Sequence, residues 1–367
     1  MDDTCPPGAV FASYLMRVRP DPEIALPSFL HYFMKSPQYW VKINNAAVGI
    51  GLANVNGTKL GAMSVPVPPL AVQRLLTSLL DSVNTANLSA TNHLASARKA
   101  IERFRQSVLA AACSGALTRE WRRENPSADA AQLAAELEST RLEVLGPRAK
   151  PPVPIAEAEL PELPPTWQWL SVDALARRVV DGVHKTPTYV EAGIPFITVR
   201  NLTAGAGISF DDVRYITEPA HDEYVKRAHP ELGDILISKD GTIGVTRAVR
   251  TNRPFSIFVS VAMVKPLIYA MSDYLELAFS SPVLKRQMLG VGSGLQHLVL
   301  RDLKADGVPV PPIEEQAEIV RRVNELLTLA DGLQQRIEAA SKRVERSFQA
   351  VLAKAFRGEL VPAGVDP

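Results

Sequence analysis

The sequence predicts a mixed α/β (α+β) chain in which α/β domains are joined by two long helices paired as an antiparallel coil, the whole built on an internal repeat with pseudo-twofold symmetry. Three observations predict it. VPVPP occurs twice, at 65–69 and 308–312, 243 residues apart, and self-similarity at a fixed offset marks a repeated structural unit. A long proline-free stretch follows each copy and carries apolar residues at heptad spacing. Between the two stretches lie short runs of β-branched residues broken by Gly, Asp and Asn.

At the same offset Gln73 meets Gln316, Leu60 meets Leu303, VGIGL from Val48 meets VGSGL from Val291, and Glu102-Arg103 meets Glu345-Arg346. The match runs ungapped for about seventy residues, with roughly a third identical, and ends with SVLAAACSGAL at 107–117 over AVLAKAFRGEL at 350–360. Upstream, Ser36-Pro37 pairs with Ser281-Pro282 and Val18-Arg19-Pro20 with Val264-Lys265-Pro266, two or three residues out of step, as short loop insertions would give. The second copy opens near Pro164 with PPTWQWLSVDAL. Some eighty residues of that copy, roughly, have no counterpart in the first. Residues 1–68 are therefore expected to be the back half of a domain whose front half is lost or lies upstream of Met1.

The first long helix is expected over residues 69–117. Val83, Asn87, Ala90, Leu94, Ala97, Ile101, Phe104 and Val108 follow in steps of four and three, a heptad seam. The second, over 313–360, repeats the register with Leu326, Ala330, Leu333, Ile337, Ala340, Val344, Ser347 and Val351. Each starts from a Pro-Pro pair and stops at a glycine, Gly115 or Gly358. Two matched seams in one chain favour pairing with each other over packing on separate domains, and twofold symmetry makes the pair antiparallel. Asn87 and Ser347 would fix register at some cost in stability.

Residues 118–163 are expected to hold a short amphipathic helix over about 128–145, stopped by Gly146-Pro147, and then an extended proline-rich linker, KPPVPIAEAELPELPP. Residues 164–312 read as the α/β domain, with strand-like segments at 194–202, 212–217, 233–249 and 256–266 and a hairpin signal at Asp240-Gly241. Its main helix spans 272–289, with Ser281-Pro282 inside it or at a break. Residues 361–367 form a tail.

Composition removes several classes of function. Of 367 residues 46% are hydrophobic and 22% charged, with 40 Lys+Arg against 39 Asp+Glu; a polycationic nucleic-acid binder is excluded, and any contact with nucleic acid is a local patch. The two cysteines, Cys5 and Cys113, make neither a disulfide framework nor a four-thiolate zinc site. With no signal peptide or membrane span visible, the cytoplasm is the expected location. GVGSG at 290–294 lacks the Lys-Ser/Thr of a phosphate loop and follows a helix. The six histidines are scattered away from metal-ligand spacing. With no paired-carboxylate nuclease pattern and no methyl-donor loop in view, the chain is expected to hold no catalytic site, no metal and no cofactor of its own.

What remains is a basic and amide-bearing set on the loops of the α/β domain: His184, Lys185, Thr186, Arg200, Asn201, Lys239, Asp240, Thr242, Arg247, Arg250, Arg253, Gln296, His297 and Arg301. Arg, Lys, Asn and Gln read base edges or hold phosphates, although composition alone favours solvated loops, and GDILISKDGTIG at 233–244 reads as a structural hairpin with glycines at its turns rather than as a contact surface.

These residues resemble the specificity subunits of type I restriction-modification enzymes. The resemblance rests on GDILISKDGTIG, on VGSGLQHLVLRDLKADGVPVPPIEEQAEIV at 291–320 with its weaker copy VGIGLANVNGTKLGAMSVPVPPLAVQ at 48–73, on AFRGELV at 355–361, and on LTREWRRENP and LPPTWQWL around the linker. It covers nearly the whole chain. It implies two target-recognition domains, each reading half of a bipartite sequence in double-stranded DNA. Two long helices would space the domains and dock two methyltransferase subunits. The partners would supply adenine-N6 methylation with S-adenosylmethionine, and restriction subunits would supply ATP- and Mg-dependent translocation and cleavage. The first domain departs from this pattern: it lacks the counterpart of residues 164 to about 246. If translation starts at Met1, only the second domain reads DNA, and two chains pairing through their coils would present a palindromic reader. The rival readings are a truncated relic or coiled-coil scaffold that holds methyltransferase subunits without reading DNA, and a self-contained methyltransferase, which the missing donor loop disfavours.

Overall fold

The computed structural model describes residues 12, 15–46, 55–126, 130–156, 160–289 and 297–360. They fall into two units, Met1–Ala100 with Gly332–Pro367, and Ile101–Asp331. In chain order the first helices are α1 (Pro27–Lys35), α2 (Pro37–Ala46), α3 (Gly57–Gly61) and the long α4 (Leu70–Cys113), followed by α5 (Arg119–Glu124) and α6 (Ala130–Leu145). The α/β region contains β1 (Gln168–Ser171), α7 (Val172–Leu175), β2 (Ala176–Asp181), β3 (Ile194–Ile197), α8 (Val199–Thr203), β4 (Arg214–Ile216) and α9 (Glu218–Val225). It continues with β5 (Ile235–Ser238), β6 (Thr246–Ala248), β7 (Ser256–Ile257), β8 (Val261–Pro266), α10 (Ser272–Ser280), α11 (Pro282–Leu289), α12 (Leu300–Ala305) and β9 (Gly307–Val310), and the chain then enters α13 (Ile313–Phe356).

The sequence repeat is a repeat of elements: α1 to α4 recur in order as α10 to α13. Ser36 and Ser281, both fully buried, break equivalent helices in the same way. Each backbone N–H donates to the carbonyl three residues back, Phe33 or Ala278. Each hydroxyl accepts from the N–H three residues on, Tyr39 at 3.3 Å or Leu284 at 3.4 Å, with proline at the next helix's first position, where its missing N–H costs nothing. The single helix expected over 272–289 is thus two.

The α4 and α13 helices are 44 residues each, about 66 Å at 1.5 Å per residue, and antiparallel. In the first unit the start of α4 (Val72, Leu76, Leu80) shares a core with the end of α13 (Leu352, Ala355, Phe356) and with Phe29, Tyr32 and Phe33 of α1. Further along, Arg98 Nη2 donates to Ser341 Oγ at 3.1 Å, and Val83, Asn87 and Ala90 line one groove with Val344, Ser347 and Val351. In the second unit Arg105 pairs with Asp331 at 2.6 Å, and Val108 shares a core with Ile319 and Val323. Ile101 and Val108 are buried, while Val83, Leu94, Leu326, Ile337, Val344 and Val351 are each half-buried. Phe104 and Leu333 depart from the expected seam, at 38% and 42% exposed; Gln334 is half-buried in place of Leu333. A straight helix at 3.6 residues per turn drifts against a strict heptad, so one seam does not hold over six heptads.

In the second unit β2-β8-β5-β6 form an antiparallel sheet, β4-β3-β7 a mixed three-stranded one, and β1 pairs with β9. All four residues of β5 and all six of β8 are buried, because one face of the four-stranded sheet packs on α10 and α11 and the other on the cluster of Ile197, Phe255 and Ile257. The segment expected as a strand over 194–202 is a strand followed by α8. Thr198 and Asn201 form a reciprocal capping box, and that local bonding ends the strand. The proline-rich segment, expected as a linker, lies against the second unit: Ala156 N–H donates to Ala305 O at 3.0 Å and Trp169 Nε1 to Pro161 O at 3.1 Å. No helix among the described residues is long and apolar enough to cross a membrane.

Candidate nucleic-acid interface

Because β8 is antiparallel to both β2 and β5, β2 and β5 finish at the same end of the sheet. Asp181 closes β2, Lys239 follows β5, and their side chains, 5% and 4% exposed, pair at 2.6 Å. Arg227, just beyond α9, completes the cluster: it pairs with the same carboxylate and donates through Nε to the carbonyls of Asp181 at 3.2 Å and Gly182 at 3.0 Å. Burial pushes the Asp181 carboxyl up, but the hydrogen bonds from Lys239 and Arg227 outweigh it and hold the group below its ordinary value. Gly182 is required here, since a Cβ would lie 2.0 Å from the Ile257 carbonyl oxygen. A fixed base therefore carries the exposed residues His184, Lys185 and Thr186. Beside it, Leu298 N–H donates to Lys239 O at 3.0 Å and His297 bonds Asp240 through Nδ1. Thr242 is exposed in the same β5–β6 loop, whose turn from Asp240 needs the positive φ of Gly241, 65°.

This end of the sheet gathers His184, Lys185, Thr186, Asp240, Thr242 and His297. Lys239 is there too, but it is enclosed in its ion pair and presents no ammonium to solvent. Asn201 is likewise inward: its Oδ1 accepts from Thr198 N–H at 2.9 Å and its Nδ2 donates to Ser209 O at 3.2 Å. Arg247 is spent on backbone, donating to Gly205 O at 2.6 Å, Gly207 O at 3.3 Å and Thr246 O at 2.9 Å. Arg250 and Arg253 lie past β6, at the opposite end of the sheet; Arg250 pairs with Asp273 at 2.6 Å and Glu276 at 2.8 Å, and Arg253 lies over the Phe210 ring at 5.1 Å. Arg200 is exposed and paired with Asp212. Arg301, 87% exposed on α12, is 3.1 Å from Asp302. Gln296 and the glycine-rich run at 290–294 lie outside the described residues.

Neither Asp181 nor Arg227 is singled out by the sequence. Two signals were available for the misplaced residues. T-x-x-N at 198–201 is a capping pattern that turns Asn201 inward. Lys239 lies just after the apolar run Ile235-Leu236-Ile237, which marks a strand covered on both faces, so its ammonium needs a buried counter-ion. The described residues hold no group of three or more His, Cys, Asp or Glu placed for a metal. The buried Cys113 thiol is pushed up to about 12 by burial, far from thiolate chemistry. The surface can donate hydrogen bonds and positive charge.

The family model "Type I restriction modification DNA specificity domain" matches residues 185–340. The chain is 25% identical over 359 residues to the type I restriction enzyme EcoKI specificity subunit of Escherichia coli K12, covering 95% of this chain and 69% of that protein. It is 29% identical over 337 residues to the EcoBI specificity subunit of Escherichia coli, covering 90% and 65%; it thus spans about two thirds of these relatives. A solved chain from a type I R-M system, described under complex assembly and conformational transition, superposes over 94% of this chain and 74% of its own with a TM-score of 0.67 at 20% identity, a likeness of fold. Residues 185–340 thus match the type I restriction modification DNA specificity domain, and the chain is similar over nine tenths or more of its length to type I restriction enzyme specificity subunits.

Proposed function

We propose that the chain is the non-catalytic DNA-recognition subunit of a type I restriction-modification complex. The α/β domain, residues 164–312, reads one part of a double-stranded target through the loops that follow β2 and β5. The two long helices space it and dock methyltransferase subunits. Residues 1–68 belong to a first recognition domain, 118–163 connect the halves, and 361–367 form a tail. The partners bring S-adenosylmethionine, ATP and Mg, and methylate adenine N6 or restrict in the cytoplasm. The observation that carries this reading is the fixed Asp181–Lys239 base under two exposed polar loops at one end of the sheet. Phosphate contacts there would position the duplex and base-edge contacts would specify it.

The test is co-expression with the methyltransferase subunit of its own system, followed by mapping of methylated adenines. An asymmetric bipartite motif supports the reading with two recognition domains at work. A palindromic motif supports it with two copies of residues 164–312 acting together. A stable complex that leaves no motif overturns it in favour of a scaffold.

A further inference from the structure

Arginines of the second unit differ in what holds them. Arg200 and Arg250 are bound to carboxylates and Arg247 to backbone carbonyls. Arg214, the exposed first residue of β4, is different: among the described residues none accepts a hydrogen bond from its guanidinium. Its Cζ lies 4.7 Å from the ring centroid of Tyr189. That ring is itself braced edge-on by the buried Phe196 at 6.1 Å. Phe196 is the register partner of Arg214 across β3 and β4, and Val190 N–H donates to Tyr215 O at 3.0 Å. Tyr189 sits in the loop that leaves Asp181 and carries His184, Lys185 and Thr186, so strand, ring and loop are stapled together with a guanidinium on top.

An aromatic seat orients the guanidinium and leaves its N–H edge unsatisfied. A planar fork of donors, fixed in advance, matches two parallel acceptors better than a mobile ammonium does. We propose that Arg214, seated on Tyr189, donates bidentately to a pair of DNA acceptor atoms, either O6 and N7 of a guanine or two phosphate oxygens. The proposal rests on the reading of the chain as a DNA-recognition subunit and adds a contact residue to it.

The complex with its methyltransferase subunit is assayed as wild type, Arg214→Ala and Arg214→Lys, by binding to motif DNA at several salt concentrations and by methylation mapping. Arg214→Ala is expected to weaken binding to motif DNA on the order of ten- to a hundred-fold. If the acceptors are a guanine edge, Arg214→Lys fails almost as badly and one G·C position of the motif relaxes. If they are phosphate oxygens, Arg214→Lys keeps most of the affinity, the motif is unchanged, and Arg214→Ala lowers the salt slope by about one. Tyr189→Phe keeps the ring and is expected to match wild type. Wild-type methylation of a motif together with unchanged binding by Arg214→Ala overturns the fork while leaving the recognition reading in place. A wild-type complex that reads no motif overturns both.

Discussion

The two long helices begin from the same sequence and are secured by opposite means. Gln73 and Gln316, equivalent in the repeat, both donate to the equivalent carbonyl of the Pro-Pro approach, Pro68 at 2.7 Å and Pro311 at 2.9 Å. One residue earlier the copies diverge. Val72 packs among Phe29, Leu76 and Phe356, whereas Glu315, fully buried, accepts from Thr118 Oγ1 at 2.6 Å, Trp167 Nε1 at 2.9 Å and Arg122. Arg122 also donates to Gly115 O at 2.6 Å. The first start is held by apolar packing and the second by a satisfied polar cluster that joins linker, domain and helix. A repeat thus preserves backbone architecture while the physics of each copy is rewritten side chain by side chain.

The largest way to break the comparison is Glu315→Ala. It leaves a mostly buried guanidinium and an indole N–H without their acceptor and is expected to cost about 3–5 kcal/mol, against about 1–2 kcal/mol for Val72→Ala, read from denaturant midpoints. Equal losses would mean that the cluster is no more than packing.

A pH difference follows just upstream. Asp306, ahead of β9, is 6% exposed with Oδ2 unpartnered; burial, and then the charge of Asp302, push its carboxyl up to about 7. Its repeat counterpart is Met63. Because the native state holds the Asp306 proton more tightly than the unfolded chain does, the contribution of this group to the second unit's stability is fully present below about pH 4 and is lost as pH rises through about 7. The loss is at most on the order of 4 kcal/mol. Asp306→Asn is expected to flatten this dependence between pH 5 and pH 8, and an unchanged slope in the variant would remove Asp306 from the account.

Gln73 sharpens the contrast further. It also bonds Leu26 N–H and Ile24 O, each at 2.8 Å, whereas Gln316 Oε1 is buried without a partner. Gln73→Leu is expected to cost about 2–3 kcal/mol and Gln316→Leu about 1 kcal/mol or less. The smallest effect is expected from Arg105→Ala, which breaks an ion pair with the exposed Asp331; double-mutant cycles should give about 0.2–1 kcal/mol, falling with salt.

The repeat, the two 44-residue helices and the hairpin at Asp240-Gly241 were legible in the sequence because periodicity and turn chemistry are local. Burial of Lys239 and Asn201 left local signals, the apolar run before one and the T-x-x-N cap at the other, but the counter-ion Asp181 is distant in the chain and left none. Phe104 and Leu333 fit a heptad on paper but lie off a seam set by real helical pitch. The candidate interface was legible as a composition of loops, and only the sheet topology sorted those loops into two ends.

The most direct test of the central claim, that residues 164–312 read DNA while the helices scaffold, is to exchange that segment for the equivalent one of a specificity subunit with a different known target and map methylated adenines. The account predicts that one part of the motif switches to the donor's sequence while any other part and the spacer stay as they were. An unchanged motif after the exchange, in a complex that still assembles and methylates, would contradict it.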